Sequence, residues 1–201
     1  MSGTLYLCAT PIGNLGDITL RVIEILKTVD IIAAEDTRNT LKLLNHFEIK
    51  TPMTSYHQHN YAVKGPQLIE KLKAGENIAL VTDAGMPGIS DPGEDMAKRC
   101  REEGIPVTIA PGASAGISAL VLSGMDARRY VFEGFLPVDK KERAAVLKNL
   151  EKETRTTVFY EAPHRLTDTL AQLLKTAGDR EAATVREITK RYEEVRHDTL
   201  G

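Results

Sequence analysis

Three short segments in the first half of this chain combine acidic residues, glycines and prolines in a way that could bind a ligand. They are residues 9–17, 34–38 and 81–93, and each follows a short apolar run typical of a buried strand. The carboxyl ends of parallel strands meet at one edge of a sheet, where ligands bind in open α/β folds. The sequence therefore predicts one cleft, whose charged groups would be Asp17, Glu35, Asp36, Arg38 and Asp83.

The segment 81–93 is the most informative of the three. Gly85 permits backbone angles that other residues avoid, and Pro87 fixes φ, so the loop can hold a defined path. Asp91 suits the N-cap of a following helix, and Pro92 suits its first position. No Gly-x-Gly-x-x-Gly follows the first strand, and no phosphate-loop motif occurs in the sequence. Carboxylates and carbonyl-rich turns instead suit a ligand with a positive centre and a flat ring.

Histidines and a serine outside these segments suggest weaker hypotheses. His57-Gln58-His59 would place both imidazoles on one face of a strand, but no third ligand with defined spacing accompanies them. We therefore predict no metal site, and a hydrogen-bonded or substrate-facing pair instead. Ser114 does not lie in the Gly-x-Ser-x-Gly elbow of hydrolases. Its small neighbours would let a ligand approach a helix start, or would serve tight helix packing.

A polar group also follows a predicted strand in the second half of the chain. His164 and Arg165 could contact a phosphate backbone in the same cleft. The alternative is that Arg165 pairs with Glu161 at the start of a helix. The residue types alone leave both interpretations open.

The elements that position these residues alternate between strand and helix. In the first half, a helix capped by Asp17 follows the first strand, and Gly65-Pro66 begins or kinks a later helix. This alternation predicts an α/β fold with a mostly parallel sheet covered on both faces. The strands are predicted at 4–9, 31–34, 53–56, 77–81 and 107–110.

The alternation of strand and helix changes after Pro111, where we place a domain boundary. The expected domains are 1–110 and 111–201, both α/β, the second with a mixed sheet. Its strands are predicted at 130–134, 156–160, 182–188 and 193–199. Because the last of these runs almost to Gly201 with no capping element after it, we expect the second domain to be truncated.

Composition is ordinary for a soluble globular protein, with 201 residues, 42% hydrophobic and 27% charged. The net charge of -2 gives no electrostatic case for nucleic acid beyond a local basic face. No apolar run has bilayer length and no signal segment opens the chain, so a cytoplasmic protein is expected. Cys8 and Cys100 are predicted to be buried, reduced thiols.

Several short stretches, mostly at the ends of predicted strands and called corners below, together carry a resemblance that no single one would carry. The stretches are Pro11-Ile12-Gly13-Asn14-Leu15, Ala34-Glu35-Asp36-Thr37-Arg38, Asp83-Ala84-Gly85-Met86-Pro87, Pro111-Gly112, Glu133-Gly134-Phe135-Leu136-Pro137 and Phe159-Tyr160-Glu161-x-x-His164-Arg165. In this order they closely resemble the tetrapyrrole methylase superfamily, and within it the family that methylates small-subunit ribosomal RNA. The resemblance covers essentially the whole chain.

The resemblance implies two α/β domains, usually in a homodimer, with S-adenosylmethionine held in a cleft between the domains. It also implies 2'-O-methylation of a cytidine in the decoding region of 16S ribosomal RNA. The partner would be either the free 16S RNA or the small ribosomal subunit. Relatives keep a final hairpin that this sequence lacks. The cofactor contacts carried over from the family are Pro11, Gly13, Asp83, Ala84, Gly85, Pro87, Ser114, Ala115 and Tyr160.

A ribose hydroxyl is a poor nucleophile until it loses its proton, so a base is expected beside the methyl group. Asp36 is the first candidate, with Arg38 holding the adjacent phosphate, and Glu35, Asp17 and His57 stay open. The candidate RNA contacts are Arg38, His57, His164 and Arg165. Two alternatives are a methyltransferase for a tetrapyrrole or corrin precursor and a non-catalytic factor that binds cofactor or RNA.

Overall fold

The computed structural model describes residues 2–91 and 93–201, which form two compact units. The first unit ends at Ser114 and the second comprises Ala115–Gly201. The first unit contains strands β1 (Leu5–Cys8), β2 (Ile31–Ala34), β3 (Met53–Ser55), β4 (Ile78–Val81) and β5 (Val107–Ala110), and helices α1 (Leu20–Thr28), α2 (Thr37–His46), α3 (Tyr61–Lys73) and α4 (Gly93–Glu102).

The five strands form one parallel sheet in the order β3-β2-β4-β1-β5, as the alternation predicted. The three inner strands, β2, β4 and β1, are therefore flanked by strands on both sides. All four residues of β4 are buried. Because every strand runs the same way, the loops that follow β1, β2 and β4 emerge next to one another at one edge of the sheet.

Helices cover both faces of this sheet, and the side chains of β4 alternate between them. Ile78 and Leu80 pack into a core with residues of α3 and α4. Ala79 and Val81 pack into a second core with residues of α1 and α2. This is the period-two alternation expected of a strand that is buried on both sides.

Two helices begin at positions other than those predicted from the sequence. Thr19, not Asp17, caps α1, and its Oγ1 accepts a hydrogen bond from the Val22 N–H at 3.2 Å. Asp17 instead ends a 3₁₀ turn at Leu15–Asp17. Helix α3 starts at Tyr61, so Pro66 lies inside it. Both corrections concern helix starts, where local capping competes between neighbouring residues.

A buried polar network ties the end of β3 to α4. The hydroxyl of Tyr56, a side chain only 1% exposed, donates to Asp95 Oδ2 at 2.7 Å. The Arg99 Nε donates to the same oxygen at 2.5 Å. Gly65 leaves room for this arginine, since a Cβ there would lie 2.9 Å from Arg99 Nε. Burial and the Asp95 carboxylate together raise the pKa of Tyr56, so the hydroxyl stays protonated.

We expect Tyr56→Phe to lower the free energy of unfolding by about 1–2 kcal/mol, because it removes a buried hydrogen bond to a charged acceptor. Urea denaturation of both proteins measures this difference. Tyr192→Phe is the matched control, since Tyr192 is 73% exposed and should change stability very little. Equal losses in the two variants would contradict the assigned role of the Tyr56 hydroxyl.

The second unit contains two separate two-stranded sheets, where the sequence predicted one mixed sheet. Strands β6 (Tyr130–Phe135) and β7 (Thr156–Tyr160) pair in parallel, and β8 (Glu181–Arg186) and β9 (Glu194–Thr199) pair antiparallel. Both pairing types are thus present, but no ladder joins them within the described residues. The helices of this unit are α5 (Ala115–Leu122), α6 (Lys140–Leu150) and α7 (Leu166–Ala177).

Both cysteines are buried and unbridged, as predicted. Burial raises the pKa of the Cys8 thiol to about 12 and that of Cys100 to about 11, so both stay protonated and unreactive. Within residues 2–91 and 93–201, no helix combines the length and apolar character needed to cross a membrane.

Candidate functional site

The loops that follow the neighbouring strands β1 and β4 are joined by a pair of backbone hydrogen bonds. The Thr10 N–H donates to Gly85 O at 2.9 Å, and the Gly85 N–H donates to Thr10 O at 3.0 Å. These bonds form an antiparallel bridge just beyond the end of the parallel sheet. Two of the three predicted corners, those following β1 and β4, therefore meet directly.

Two buried threonines beside this bridge form hydrogen bonds with backbone carbonyls of the same loops. Thr10 and Thr82 are each only 4% exposed. The Thr10 Oγ1 donates to the carbonyl of Thr82 at 3.1 Å. Neither threonine was singled out from the sequence, although Thr10 directly precedes Pro11 in the first corner and Thr82 directly precedes Asp83.

Asp83 joins the third corner, after β2, to the other two. Its Oδ1 accepts a hydrogen bond from the Asp36 N–H at 3.1 Å, and its Oδ2 accepts one from Asn39 Nδ2 at 3.2 Å. The Asp83 N–H in turn donates to Glu35 Oε2 at 3.3 Å. The structure thus brings Glu35, Asp36 and Asp83 together. Sequence reasoning missed Asn39, which follows the N-cap of α2 by three residues.

Asp36 is fully engaged by its own helix and by Arg38. Its Oδ1 caps α2 by accepting the Arg38 N–H at 2.8 Å, and its Oδ2 pairs with Arg38 Nη2 at 2.6 Å. Hydrogen bonds from the Arg38 side chain and backbone lower the pKa of Asp36 to about 2. A carboxylate with so low a pKa is a weak proton acceptor.

Glu35 has the opposite electrostatic character. Burial, together with the nearby charges of Asp83 and Asp91, raises the pKa of Glu35 above its usual value, although a hydrogen bond from the Asp83 N–H opposes this effect. A carboxylate with a raised pKa is a stronger base than Asp36 at the same edge of the sheet. Glu35 is therefore better suited than Asp36 to accept a proton from a bound substrate.

A cavity lies beside the Thr10–Gly85 bridge, between the first loop and α2. Pro11 and Asp83, both predicted cofactor contacts, line it. Asp17 does not line it, although Leu15 of the same 3₁₀ turn does. The full lining consists of Thr10, Pro11, Leu15, Asn39, Thr40, Lys42, Leu43, Thr82 and Asp83.

The loop between β4 and α4 is held closed by Asp91. Its carboxylate accepts the Gly88 N–H at 2.9 Å and the Gly93 N–H at 2.8 Å. Ser90 adopts a positive φ of 65° between them. Asp91 thus binds the amides at both ends of this turn, and the predicted role of Pro92 falls outside the described residues. Ala84 is exposed in this loop, whereas Pro87 is buried.

Two glycines at this edge bring backbone segments close together. A Cβ on Gly112 would lie 2.8 Å from the Cβ of Ala9, which no neighbour could accommodate without moving. Gly85 has a φ of +84°, and a Cβ there would lie 3.3 Å from Ile12 Cγ2. Gly13 is exposed in the first loop, and Ser114 is half-buried after β5. The loops that follow β1, β4 and β5 therefore pack closely against one another at this edge of the sheet.

The histidines after β3 lie in a hydrogen-bonded turn. The His57 N–H donates to Asn60 Oδ1 at 2.9 Å, and the His59 N–H donates to His57 Nδ1 at 3.2 Å. Among residues 2–91 and 93–201, no group of three or more His, Cys, Asp or Glu side chains could hold a metal ion. The structure shows His57 in a hydrogen-bonded turn at the same edge of the sheet as Glu35.

In the second unit, Tyr160 supports the start of α5. Its hydroxyl accepts the Gly116 N–H at 3.0 Å. The site is tight, since a Cβ on Gly116 would lie 3.2 Å from Phe132 Cε2 and 3.3 Å from that hydroxyl. Ala115 is the first residue of α5. The ring of Tyr160 packs at an angle against Phe132 and Phe135.

Glu161 and Arg165 form the ion pair that the sequence left as an alternative. The Arg165 Nε donates to Glu161 Oε1 at 2.9 Å, and the Thr169 Oγ1 donates to Glu161 Oε2 at 2.6 Å. Burial alone would raise the pKa of Glu161, but the bonds from Thr169, Ala162 and Arg165 lower it overall. His164 is exposed beside this pair. Arg165 would have to share its guanidinium between Glu161 and any RNA phosphate.

Comparison with known proteins identifies similar sequences and folds. The family model described as "Tetrapyrrole (Corrin/Porphyrin) Methylases" matches residues 4–201. A protein of Synechocystis sp. named "Ribosomal RNA small subunit methyltransferase I" is 54% identical over 98% of this chain and 71% of its own length. The Bacillus subtilis protein of the same name is 52% identical over 99% of this chain and 68% of its own length.

Among solved structures, uroporphyrin-III C-methyltransferase from Thermus thermophilus has the same fold. In its complex with S-adenyl homocysteine it superposes with a TM-score of 0.66 at 18% identity, over 98% of this chain and 84% of its own. At this identity the likeness concerns the fold alone. The residues that the family model matches, 4–201, include every corner described above.

Proposed function

Because this chain belongs to the tetrapyrrole (corrin/porphyrin) methylases, among the relatives named ribosomal RNA small subunit methyltransferase I, we propose that it methylates small-subunit ribosomal RNA. The methyl donor is S-adenosylmethionine. The proposed acceptor is the 2'-hydroxyl of a cytidine in the decoding region of 16S ribosomal RNA. The observation that carries the proposal is the joining of three corners through Thr10, Gly85 and Asp83.

The residues at this edge fit such a cofactor. Gly112 and Gly85 let the loops that form this edge approach each other closely, since a Cβ would lie 2.8 Å from the Cβ of Ala9 and 3.3 Å from Ile12 Cγ2, respectively. The exposed carboxylate of Asp83 offers negative charge to a cationic ligand. The residues proposed to hold the cofactor are Pro11, Gly13, Asp83, Ala84, Gly85, Pro87 and Ser114 in the first unit, and Ala115 and Tyr160 in the second. When bound, the cofactor supplies a methyl group on a positively charged sulfur.

The chain's own contribution is to position the acceptor and to take up its proton. Deprotonation of the ribose hydroxyl needs a base within hydrogen-bond reach. Asp36, the first candidate from the sequence, stays a prediction, but its ion pair with Arg38 makes it a weak base. We favour Glu35 for this role, with Asp36 positioning Arg38. The side chain of Arg38 is 86% exposed and can hold a backbone phosphate.

Further RNA contacts are proposed at His57, His164 and Arg165. His57 follows β3 at the same edge of the sheet as Glu35 and Asp83. His164 and Arg165 lie in the second unit, in the 3₁₀ turn before α7. With a net charge of -2 for the whole chain, recognition would depend on local contacts and RNA shape more than on overall charge.

We propose that the active form is a homodimer in the cytoplasm, where its ribosomal substrate lies. Helix α5 supports a dimer because it exposes a row of apolar side chains. Ile117 is 46% exposed, Val121 69% and Leu122 37%. Contiguous exposed apolar side chains are typical of protein–protein contact surfaces. Sedimentation analysis of the free protein tests this proposal.

The proposed reaction is tested by incubating the protein with labelled S-adenosylmethionine and three acceptors. These are small ribosomal subunits from cells that lack the enzyme, the naked 16S RNA, and a corrin precursor. We expect label in ribosomal RNA, located by mass analysis as one ribose methyl on a cytidine. Label in the corrin precursor alone would support the tetrapyrrole alternative. Cofactor binding with no methylated product would support a non-catalytic binding factor.

A further inference from the structure

The tip of the β8–β9 hairpin, residues 187–193, has features that the proposed reaction has not used. We propose that this tip binds an unpaired segment of the RNA substrate, with Tyr192 stacking on a base and Arg191 binding an adjacent phosphate. The inference rests on the proposed function, because it takes RNA to be the substrate.

The backbone of the tip is strained at two residues that are not glycine. Glu187 has a φ of 52° and Thr189 a φ of 66°. A β-branched residue rarely adopts positive φ, because its Cβ substituents crowd the backbone. The hydroxyl oxygen of Thr189 is also buried with no hydrogen-bond partner in the described part of the chain. Such local cost is typical of segments kept for function.

A set of local bonds nevertheless fixes the shape of the tip. The Thr189 N–H donates to Glu193 Oε2 at 2.7 Å. The Lys190 N–H donates to Glu187 O at 2.9 Å, and the Glu193 N–H donates to Lys190 O at 3.2 Å. The Lys190 ammonium also pairs with Glu187 Oε1 at 3.0 Å. A turn fixed in this way loses little conformational entropy when it binds a ligand.

This rigid turn presents one aromatic ring and one guanidinium side by side. Tyr192 is 73% exposed, which is unfavourable for a large aromatic side chain in the free protein. The Arg191 Cζ lies 5.6 Å from the centre of the Tyr192 ring. Proteins bind unpaired RNA by stacking bases on aromatic rings and pairing arginines with the phosphates between them. A duplex would not offer free base faces to Tyr192.

The strands beside the tip do not oppose an anionic partner. Glu194 at the start of β9 is paired with both Arg186 and Arg196. Both arginine side chains are more than 70% exposed, at 72% and 71%. One carboxylate shared by two guanidinium groups leaves the strand ends nearest the tip with one net positive charge, which complements RNA phosphates, while within the tip Lys190 and Arg191 balance Glu187 and Glu193.

The test measures binding of the variants to an RNA that the unaltered chain methylates. We expect Tyr192→Ala to weaken RNA binding at least about fivefold and Tyr192→Phe to stay within about twofold, because phenylalanine keeps the stacking face. Arg191→Ala should reduce the slope of log affinity against log salt by about 0.7, as for one lost phosphate contact. Filter binding at several KCl concentrations gives both values, and calorimetry with S-adenosylmethionine should show unchanged cofactor affinity.

Arg128→Ala is the matched control, since it removes one positive charge from a side chain that is 88% exposed elsewhere in the same unit. It should leave the RNA affinity and the salt slope unchanged. The inference is overturned if Tyr192→Ala and Arg191→Ala behave like this control, or if they alter only the oligomeric state. If the unaltered chain fails to methylate any RNA, the proposed function fails and the inference with it.

Discussion

Glu35→Gln is expected to lower the rate of methyl transfer by about 10²–10⁴-fold, the usual contribution of a general base. Glutamine keeps the size of the side chain and can still accept the Asp83 N–H, but it cannot take up a proton. Affinity for S-adenosylmethionine should stay within about twofold. Single-turnover rates with saturating RNA, together with calorimetry for the cofactor, measure the two effects separately.

Asp36→Asn is the matched variant, because it makes the same chemical change at the next residue. If Asp36 only caps α2 and holds Arg38, this variant should lose about tenfold or less, chiefly through weaker RNA binding. A larger loss for Asp36→Asn than for Glu35→Gln would return the role of base to Asp36. Unimpaired turnover in Asp36→Asn would remove that residue from the role altogether.

The pH dependence distinguishes the two carboxylates independently. A base must be deprotonated, so the rate falls as pH drops through its pKa. The raised pKa of Glu35 places that fall above the usual range of a glutamate. If Asp36 were the base, with its pKa of about 2, the rate would stay level down to pH 4. A rate profile from pH 4 to 8 decides between them.

Gly85→Ala is expected to weaken S-adenosylmethionine binding at least about tenfold. The residue has a φ of +84°, where a Cβ adds about 1–2 kcal/mol of backbone strain. That Cβ would also lie 3.3 Å from Ile12 Cγ2 and 3.4 Å from the carbonyl of Ala113. Relief of the crowding would move the loops that form the proposed cofactor site. Titration calorimetry with the cofactor measures the loss.

Gly104→Ala controls for the strain alone. Gly104 has a φ of +66° and no heavy atom within 4 Å of an added Cβ, and it lies at the opposite edge of the sheet, before β5. It should lose similar stability in urea while binding the cofactor normally. Equal cofactor affinity in Gly85→Ala and the unaltered chain would show that the site does not depend on this loop.

Much of the first unit could be predicted from the sequence, because its signals are local. The β4 segment is a short apolar run with a polar entrance, and it forms a strand buried on both faces. Helix starts were less predictable. Asp17 and Thr19 are both good caps two residues apart, and in the structure Thr19 caps α1 by accepting the Val22 N–H. The pair Gly65-Pro66 is typical of either a helix start or a kink, and in the structure Pro66 lies inside α3.

The candidate site could be predicted where its residues directly follow strands. It could not be predicted where it depends on hydrogen bonds and charges between side chains. Glu35, Asp36 and Asp83 directly follow strands, so the parallel topology indicated that they would meet. The sequence could not show that Arg38 would form an ion pair with Asp36. Nor could it show that the charge of Asp91 would help to raise the pKa of Glu35. Asn39 and Lys42 line the cavity only because α2 packs beside the first loop. Their spacing alone carries no signal for a ligand.

The reciprocal bonds between Thr10 and Gly85 have a consequence for the free protein. Both amide protons should exchange slowly with deuterium before any ligand is added, as they do in regular strands. The two loops would then open together as one cooperative segment. A ligand arriving there would meet a receptor already in its binding geometry, and little of its interaction energy would go to ordering the chain.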